Sequence, residues 1–190
     1  MRIPFFFANL LFFFLLLPAR SVSQNIDLIP VQKQKQLRQQ TSEIVAARRA
    51  QLLTLKLDST DIEFKLDTFG VETYFEKCHE TLEKAGIILT DADMSGLTFD
   101  KAQAYDSLMN KYYKRLSALL KDDDKKALIQ AQRAWLAFRD NEGKLRVAVE
   151  MNATGGGTML QLNESGAYLG MVRTRAIELY EYYDQIVNHL

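Results

Sequence analysis

The chain has 190 residues, with 24 Lys+Arg against 24 Asp+Glu, one Cys, two His and three Pro. That length fits one domain, with or without an appended arm, and is enough to bury a core. One Cys excludes an internal disulfide framework and a Cys-rich zinc site, two His give no basis for a His-based metal centre, and zero net charge gives no case for nucleic-acid binding.

Residues 1–23 read as a signal peptide. Arg2 supplies the positive start, Phe5 to Leu17 is an apolar run of 13 residues broken only by Asn9, and Pro18 ends it. Small residues at Ala19, Ser21 and Ser23 allow cleavage after Ser21 or Ser23. Thirteen helical residues span about 20 Å, short of a hydrocarbon core of about 30 Å, so a membrane anchor is the weaker reading. The protein is expected to be exported, periplasmic or secreted, with no transmembrane anchor after processing. Removing Arg2 and Arg20 leaves 22 Lys+Arg against 24 Asp+Glu. The charge is segregated: residues 31–57 carry six basic groups and one acid, and residues 58–100 carry eleven acids and three lysines. The acidic run reads as the solvated face of ordinary helices, or as a steering surface for a basic partner.

Residues 24–98 form an N-terminal helical arm and acidic segment. Residues 24–40 are rich in Gln and Lys, and Thr41 to Leu57 has helical spacing. After a break at Asp58-Ser59-Thr60, Ile62, Phe64 and Leu66 alternate with Glu63, Lys65 and Asp67, the period of one short strand. Residues 71–85 read as a helix stopped by Gly86, and residues 87–100 as a loop. Residues 99–190 are the clearest part. Thr98 starts a helix over 99–120 with Tyr105, Leu108, Met109, Tyr112, Leu116 and Leu119 on one face. Asp122, Asp123 and Asp124 sit where the dipole of a second helix, over about 125–149, favours anions. Its inward stripe is expected to be Leu128, Ala131, Trp135, Phe138, Leu145 and Val149. Gly155-Gly156-Gly157 then forces a turn, and a last helix ends near Val187. The fold class is all-α: an antiparallel bundle of three to four long helices with the helical arm laid against it.

No catalytic constellation is present: neither GxSxG, nor HExxH, nor a Walker loop occurs, and no cofactor motif is visible. Cys78-His79 has no third partner and reads as structural. Asp91, Asp93 and Ser95 alternate like calcium ligands, but the twelfth position of such a loop is Ala102 rather than Glu. Asn152-Ala153-Thr154 and Asn163-Glu164-Ser165 match the glycosylation acceptor pattern. The most informative stretch is Ala131-Gln132-Arg133-Ala134-Trp135-Leu136-Ala137-Phe138-Arg139-Asp140. Gln132, Trp135 and Arg139 share one helix face. Buried Gln and Arg need partners, and Asp106, Asn110 and Arg175 are the candidates. The set reads either as a polar network that fixes helix register or as a recognition surface on Trp135 and Arg139.

On these residues the chain resembles the LprI-like lysozyme-inhibitor N-terminal domain family, a bacterial exported helical domain. The resemblance rests on Asp106-x-x-Met109-Asn110-x-x-Tyr113, on Ala131-Gln132-Arg133-Ala134-Trp135 with Phe138-Arg139-Asp140, on Gly155-Gly156-Gly157-Thr158, and on Arg175 with Leu179. It covers about residues 100–185. It implies a non-enzymatic binding module with a protein partner such as a lysozyme, no cofactor and no metal. Many members carry a Cys after the Arg-Asp pair and another before the last helix. Here those regions read Asn141-Glu142-Gly143 and Ser165-Gly166-Ala167, so packing and polar contacts must hold the helices instead. The rival reading is a structural or assembly partner in the cell envelope, using the basic 31–57 segment.

Overall fold

The computed structural model describes residues 28–189. The expected signal peptide lies outside the described residues. Within them the chain forms five helices: α1 (Val31–Leu52), α2 (Ser59–Lys84), α3 (Asp91–Leu119), α4 (Asp122–Thr154) and α5 (Thr158–Val187). There is no strand among the described residues, and no helix there is long and apolar enough to cross a membrane.

Sequence neighbours run antiparallel. Leu52 clusters with Ile62 across α1 and α2, Glu72 meets Lys101 while Glu63 meets Arg115 across α2 and α3, and Gln132 meets Arg175 across α4 and α5. The largest interface joins α3 to α5, which run parallel: Ser95 contacts Gln161, Phe99 stacks on Tyr168, and Tyr112 meets Tyr180 in ascending order. Their seam is the main core, with Tyr105, Met109, Tyr112, Leu116, Val172, Ala176 and Leu179 buried. A second cluster of Ile29, Leu37, Tyr74, Cys78 and Leu82 fastens α1 to α2. Cys78 is fully buried there, and burial pushes its thiol pKa up, so it is a small apolar core residue.

Two expectations about the arm are corrected. Residues 61–68 are helix, not strand. Ile62 and Leu66 pack toward α1 while Phe64 and Val71 pack on the main core. A helix buried on two sides carries apolar residues on both, and a short stretch of it mimics period two. Residues 91–100 are the first turns of α3, not a loop. Thr90 begins them with a capping box: its hydroxyl accepts from the Asp93 amide, and the Asp93 carboxylate accepts from the Thr90 amide. This role accounts for Asp93, and Asp91 beside it lies in the same first turn. The helix therefore starts at Asp91, eight residues before the expected start at 99, and Thr98 lies inside it.

The acidic run is largely consumed inside the molecule. Glu63 accepts both guanidinium nitrogens of Arg115, at 2.6 and 2.7 Å, and faces Lys111 at 2.8 Å. Asp67 accepts from Lys111 and from the Tyr112 hydroxyl, and Glu72 from Lys101 and the Tyr105 hydroxyl. Asp61 accepts from Tyr180. Arg115 and then Lys111 hold the Glu63 carboxyl down to about 2 against a burial penalty. Burial raises Glu72, but Lys101 and Tyr105 outweigh it and its pKa ends below the ordinary range. Both shifts are downward, so the stability they supply is present above the ordinary 4.5 and is lost as pH falls toward about 2. The melting temperature should therefore drop across that window, and Glu63→Gln should flatten the drop. An unchanged slope in the variant would contradict this assignment.

Candidate functional site

The Gln132–Trp135–Arg139 face of α4 turns inward, onto α5. Leu128 and Gln132 are buried, and Trp135 packs half-buried against the main core. Arg175 of α5 is buried, and its Nε donates to Gln132 Oε1 at 3.0 Å while a terminal nitrogen donates to Glu178 at 2.8 Å. The Gln132 amide donates in turn to Met109 Sδ at 3.5 Å, which links α3, α4 and α5. Arg139 lies between two rings, 5.5 Å from Trp135 and 5.4 Å from Tyr168. Its Nε and a terminal nitrogen both donate to Asp140, at 2.9 and 2.7 Å, and its side chain is 12% exposed. A guanidinium stacked on aromatic faces and doubly bonded to a carboxylate is fixed in orientation.

Asp106 sits against this group from α3. It accepts from the Asn110 amide at 2.9 Å, within the same helix. Burial pushes the Asp106 carboxyl up, opposed by the charge of Arg139 and by Asn110. Asn110 spends its amide on Asp106 and does not reach Gln132 or Arg175. Tyr113 packs half-buried on the main core, and Arg133 points to solvent. Thus Asp106, Gln132, Trp135, Arg139, Asp140 and Arg175 come together, whereas Arg133 and the glycines stand apart. Tyr168 and Glu178 complete the group. Sequence reasoning passed over both, although they lie seven residues before and three after Arg175, on its own helical side.

The inward stripe expected for α4 is corrected. Leu128 and Trp135 do face in, but Ala131 is exposed and Phe138, Leu145 and Val149 are 57%, 57% and 59% exposed. The polar partners set the rotation: turning Phe138 inward would pull Gln132 off Arg175 and Arg139 away from Tyr168. The distal half of α4 therefore meets the bundle with Arg139, Gly143 and Val147, and small or charged residues there leave a groove. The groove holds about 990 Å³ between the first half of α3, the second half of α4 and the start of α5. Phe99 and Tyr168, stacked at 5.1 Å, form its aromatic wall together with Met171. Arg139, Lys144 and Arg146 supply positive charge, and Asp93, Asp140 and Glu164 negative.

Gly155, Gly156 and Gly157 close the end of the bundle beside this groove, at φ of +74°, +82° and +140°. Side chains rarely tolerate these angles, so the triple glycine is a turn requirement. Thr158 donates to Asp91 and Ser95 to the Gln161 carbonyl, tying the turn to the start of α3. Among the described residues no group of His, Cys, Asp and Glu is arranged to hold a metal ion. Of the charged groups that line the groove, Arg139 pairs with Asp140, Arg146 pairs with Glu142 just outside it, and Asp93 caps α3.

No curated protein and no solved structure matches the chain. The profile of the family described as Lysozyme inhibitor LprI matches residues 83–179, a span that holds all of α3 and α4, most of α5, and the whole groove. With half of its length matched, including the Gln132–Trp135–Arg139 group, the chain belongs to the lysozyme inhibitor LprI family.

Proposed function

We propose that this protein is an exported, non-enzymatic binding module that occludes a basic cell-wall hydrolase of the lysozyme type. The observation that supports the reading most is the coincidence of the family match with the groove and its Arg139 cluster. A rigid aromatic and Arg centre inside a polar rim is the composition of binding hot spots. The core of the module is made rigid by the Arg175–Gln132 link and the α3–α5 seam, so little order is lost on docking.

Lysozyme-type hydrolysis depends on two carboxylates in an open cleft. In the proposed complex the bundle covers that cleft, and a cation at the groove edge faces the carboxylates. Arg139 is committed to Asp140 and to the two rings, so it shapes the surface rather than reaching out. Lys144 is exposed at the groove edge and is the side chain with reach. Asp93, Asp140 and Glu164 meet the basic rim of the enzyme. The apolar run Phe5 to Leu17 supports export, and residues 99–190 together with the earlier turns of α3 are the proposed binding unit.

The reading is tested by lysis assays with Lys144→Glu. The wild-type protein should slow lysis in proportion to its concentration, and less so at high salt. Lys144→Glu should weaken inhibition at least tenfold with an unchanged melting temperature, since the side chain supports nothing in the fold. Equal inhibition by the variant would remove this surface from the interface.

A further inference from the structure

The matched family span begins at residue 83, so α1 and nearly all of α2 lie outside it. α1 packs on α2 through Leu37, Thr41 and Leu52, and among the described residues no other helix shares a comparable interface with it. On one of its open flanks Val31, Lys35, Arg38, Ser42, Arg49 and the C-cap residue Leu53 are all exposed. At about 100° per residue they fall within roughly 60° of the helix circumference. The composition of this row, more than its spacing, sets it apart. Cations fill the middle, Val31 and Leu53 stand at the two ends at 66% and 62% exposed, and no carboxylate belongs to it.

The charge of this flank is not neutralised inside the molecule. Residues 31–57 carry six basic groups against Glu43 alone. Glu43 accepts from the Gln39 amide and lies about 100° around the helix from the row. Among the described residues Lys35 and Arg49 pair with no carboxylate, and neither do Lys33 and Lys56. Arg38 lies over the Tyr74 ring, 4.9 Å from its centroid. The neighbouring helix does not compensate, because Glu63, Asp67 and Glu72 of α2 are bonded to Arg115, Lys111 and Lys101 of α3.

We infer that this flank of α1 docks the protein on an anionic lipid surface. A soluble polyanion would satisfy the cations but would offer nothing to the exposed Val31 and Leu53. The interface of an anionic bilayer offers phosphate to the cations and an apolar edge to the end residues. In the turn that follows, Leu55 is 54% exposed beside Lys56, which extends the same pairing of charge and apolarity. The row spans ~33 Å along a straight helix, a shape that lies on a flat surface. The apolar side of α1 is spent on α2, so the contact is peripheral, held by charge and weakened by salt. The inference does not depend on the inhibitor reading: α1 lines no part of the groove, which lies among α3, α4 and α5 and stays open when α1 is docked.

Co-sedimentation of the chain from Gln24 onward with lipid vesicles tests this. The protein should pellet with vesicles of phosphatidylcholine containing about 30% phosphatidylglycerol, should not pellet with pure phosphatidylcholine, and should be released as salt rises from about 0.05 to 0.5 M. Lys35→Glu combined with Arg49→Glu should lower the partition coefficient at least tenfold, since each basic residue at such a surface contributes about fivefold. Leu53→Ser should lower it about threefold, and circular dichroism should be unchanged in both variants because all three sites are exposed. Lys125→Glu combined with Lys126→Glu makes the same change of net charge at the exposed start of α4 and should leave binding within about twofold. No pelleting with the anionic vesicles at low salt overturns the inference. An equal loss in the α4 control also overturns it, because the attraction is then one of net charge alone. Binding to soluble polyglutamate as tight as to the vesicles, with Leu53→Ser without effect on either, overturns it as well and makes the partner an acidic chain.

Discussion

Tyr112→Ala should destabilise the protein by about 4 kcal/mol, the range for deleting a large buried aromatic. Tyr112 is fully buried at the centre of the α3–α5 seam. Its ring meets Phe64 edge-on at 5.4 Å and Tyr180 edge-on at 5.5 Å, while Phe64 and Tyr180 stack on each other at 3.9 Å. Three helices therefore meet on one ring. Its hydroxyl donates to Asp67 at 2.7 Å, which ties the acidic face of α2 to the core. Tyr112→Phe keeps the packing and removes only that bond, which Lys111 partly replaces, so it should cost about 1 kcal/mol. Urea unfolding separates the two. If both variants lose the same amount, the hydroxyl rather than the ring carries the stability.

Arg175→Ala should cost about 3 kcal/mol, and its partners should not contribute equally. The side chain is 9% exposed, and it holds Gln132 at 3.0 Å and Glu178 at 2.8 Å. Truncation leaves the buried Gln132 carbonyl without its donor, and a stranded buried polar group costs more than the bond itself is worth. Glu178 is 41% exposed and regains water, so Glu178→Ala should lie within about 0.5 kcal/mol of the wild type. Replacing the pair by apolar residues, Gln132→Leu with Arg175→Met, should restore most of the loss. A double variant no better than Arg175→Ala would mean that the link does more than satisfy its own atoms.

These two side chains illustrate what was legible in the sequence. Tyr105, Met109, Tyr112 and Leu116 form an uninterrupted 3–4 row because the fully buried apolar residues of this part of α3 share one side, while its contacts to either flank are polar, and such a row can be read without structure. The turn at Gly155-Gly156-Gly157 was equally clear, since positive φ leaves little choice of residue. α2 was not legible, because it is buried on two sides and uses carboxylates as contacts. Glu63, Asp67 and Glu72 look like a solvated face in sequence, yet they meet Arg115, Lys111, Lys101 and two tyrosine hydroxyls. The rotation of α4 failed for the converse reason. Apolarity favoured Phe138 and Leu145 inside, while the demands of Gln132 and Arg139 for partners placed them outside. Gln132, Trp135 and Arg139 were visible as one face by spacing. Tyr168 was not, because nothing in sequence marks which ring a guanidinium will choose.

The same polar contacts that turn α4 open a space of about 990 Å³ between α3, α4 and α5, and present Lys144 at its edge. Stability and proposed function thus depend on one rotation. A variant that frees it, such as Arg175→Ala, should lose inhibition together with stability, whereas Lys144→Glu should lose inhibition alone.

Calorimetric titration of the chain from Gln24 onward against goose-, chicken- and invertebrate-type lysozymes is the most direct measurement, run with parallel lysis assays. A one-to-one complex with at least one type is expected, at low-micromolar affinity or tighter, weakening as salt is raised and matched by inhibition of lysis. No heat and no inhibition with any of the three at low salt would contradict it.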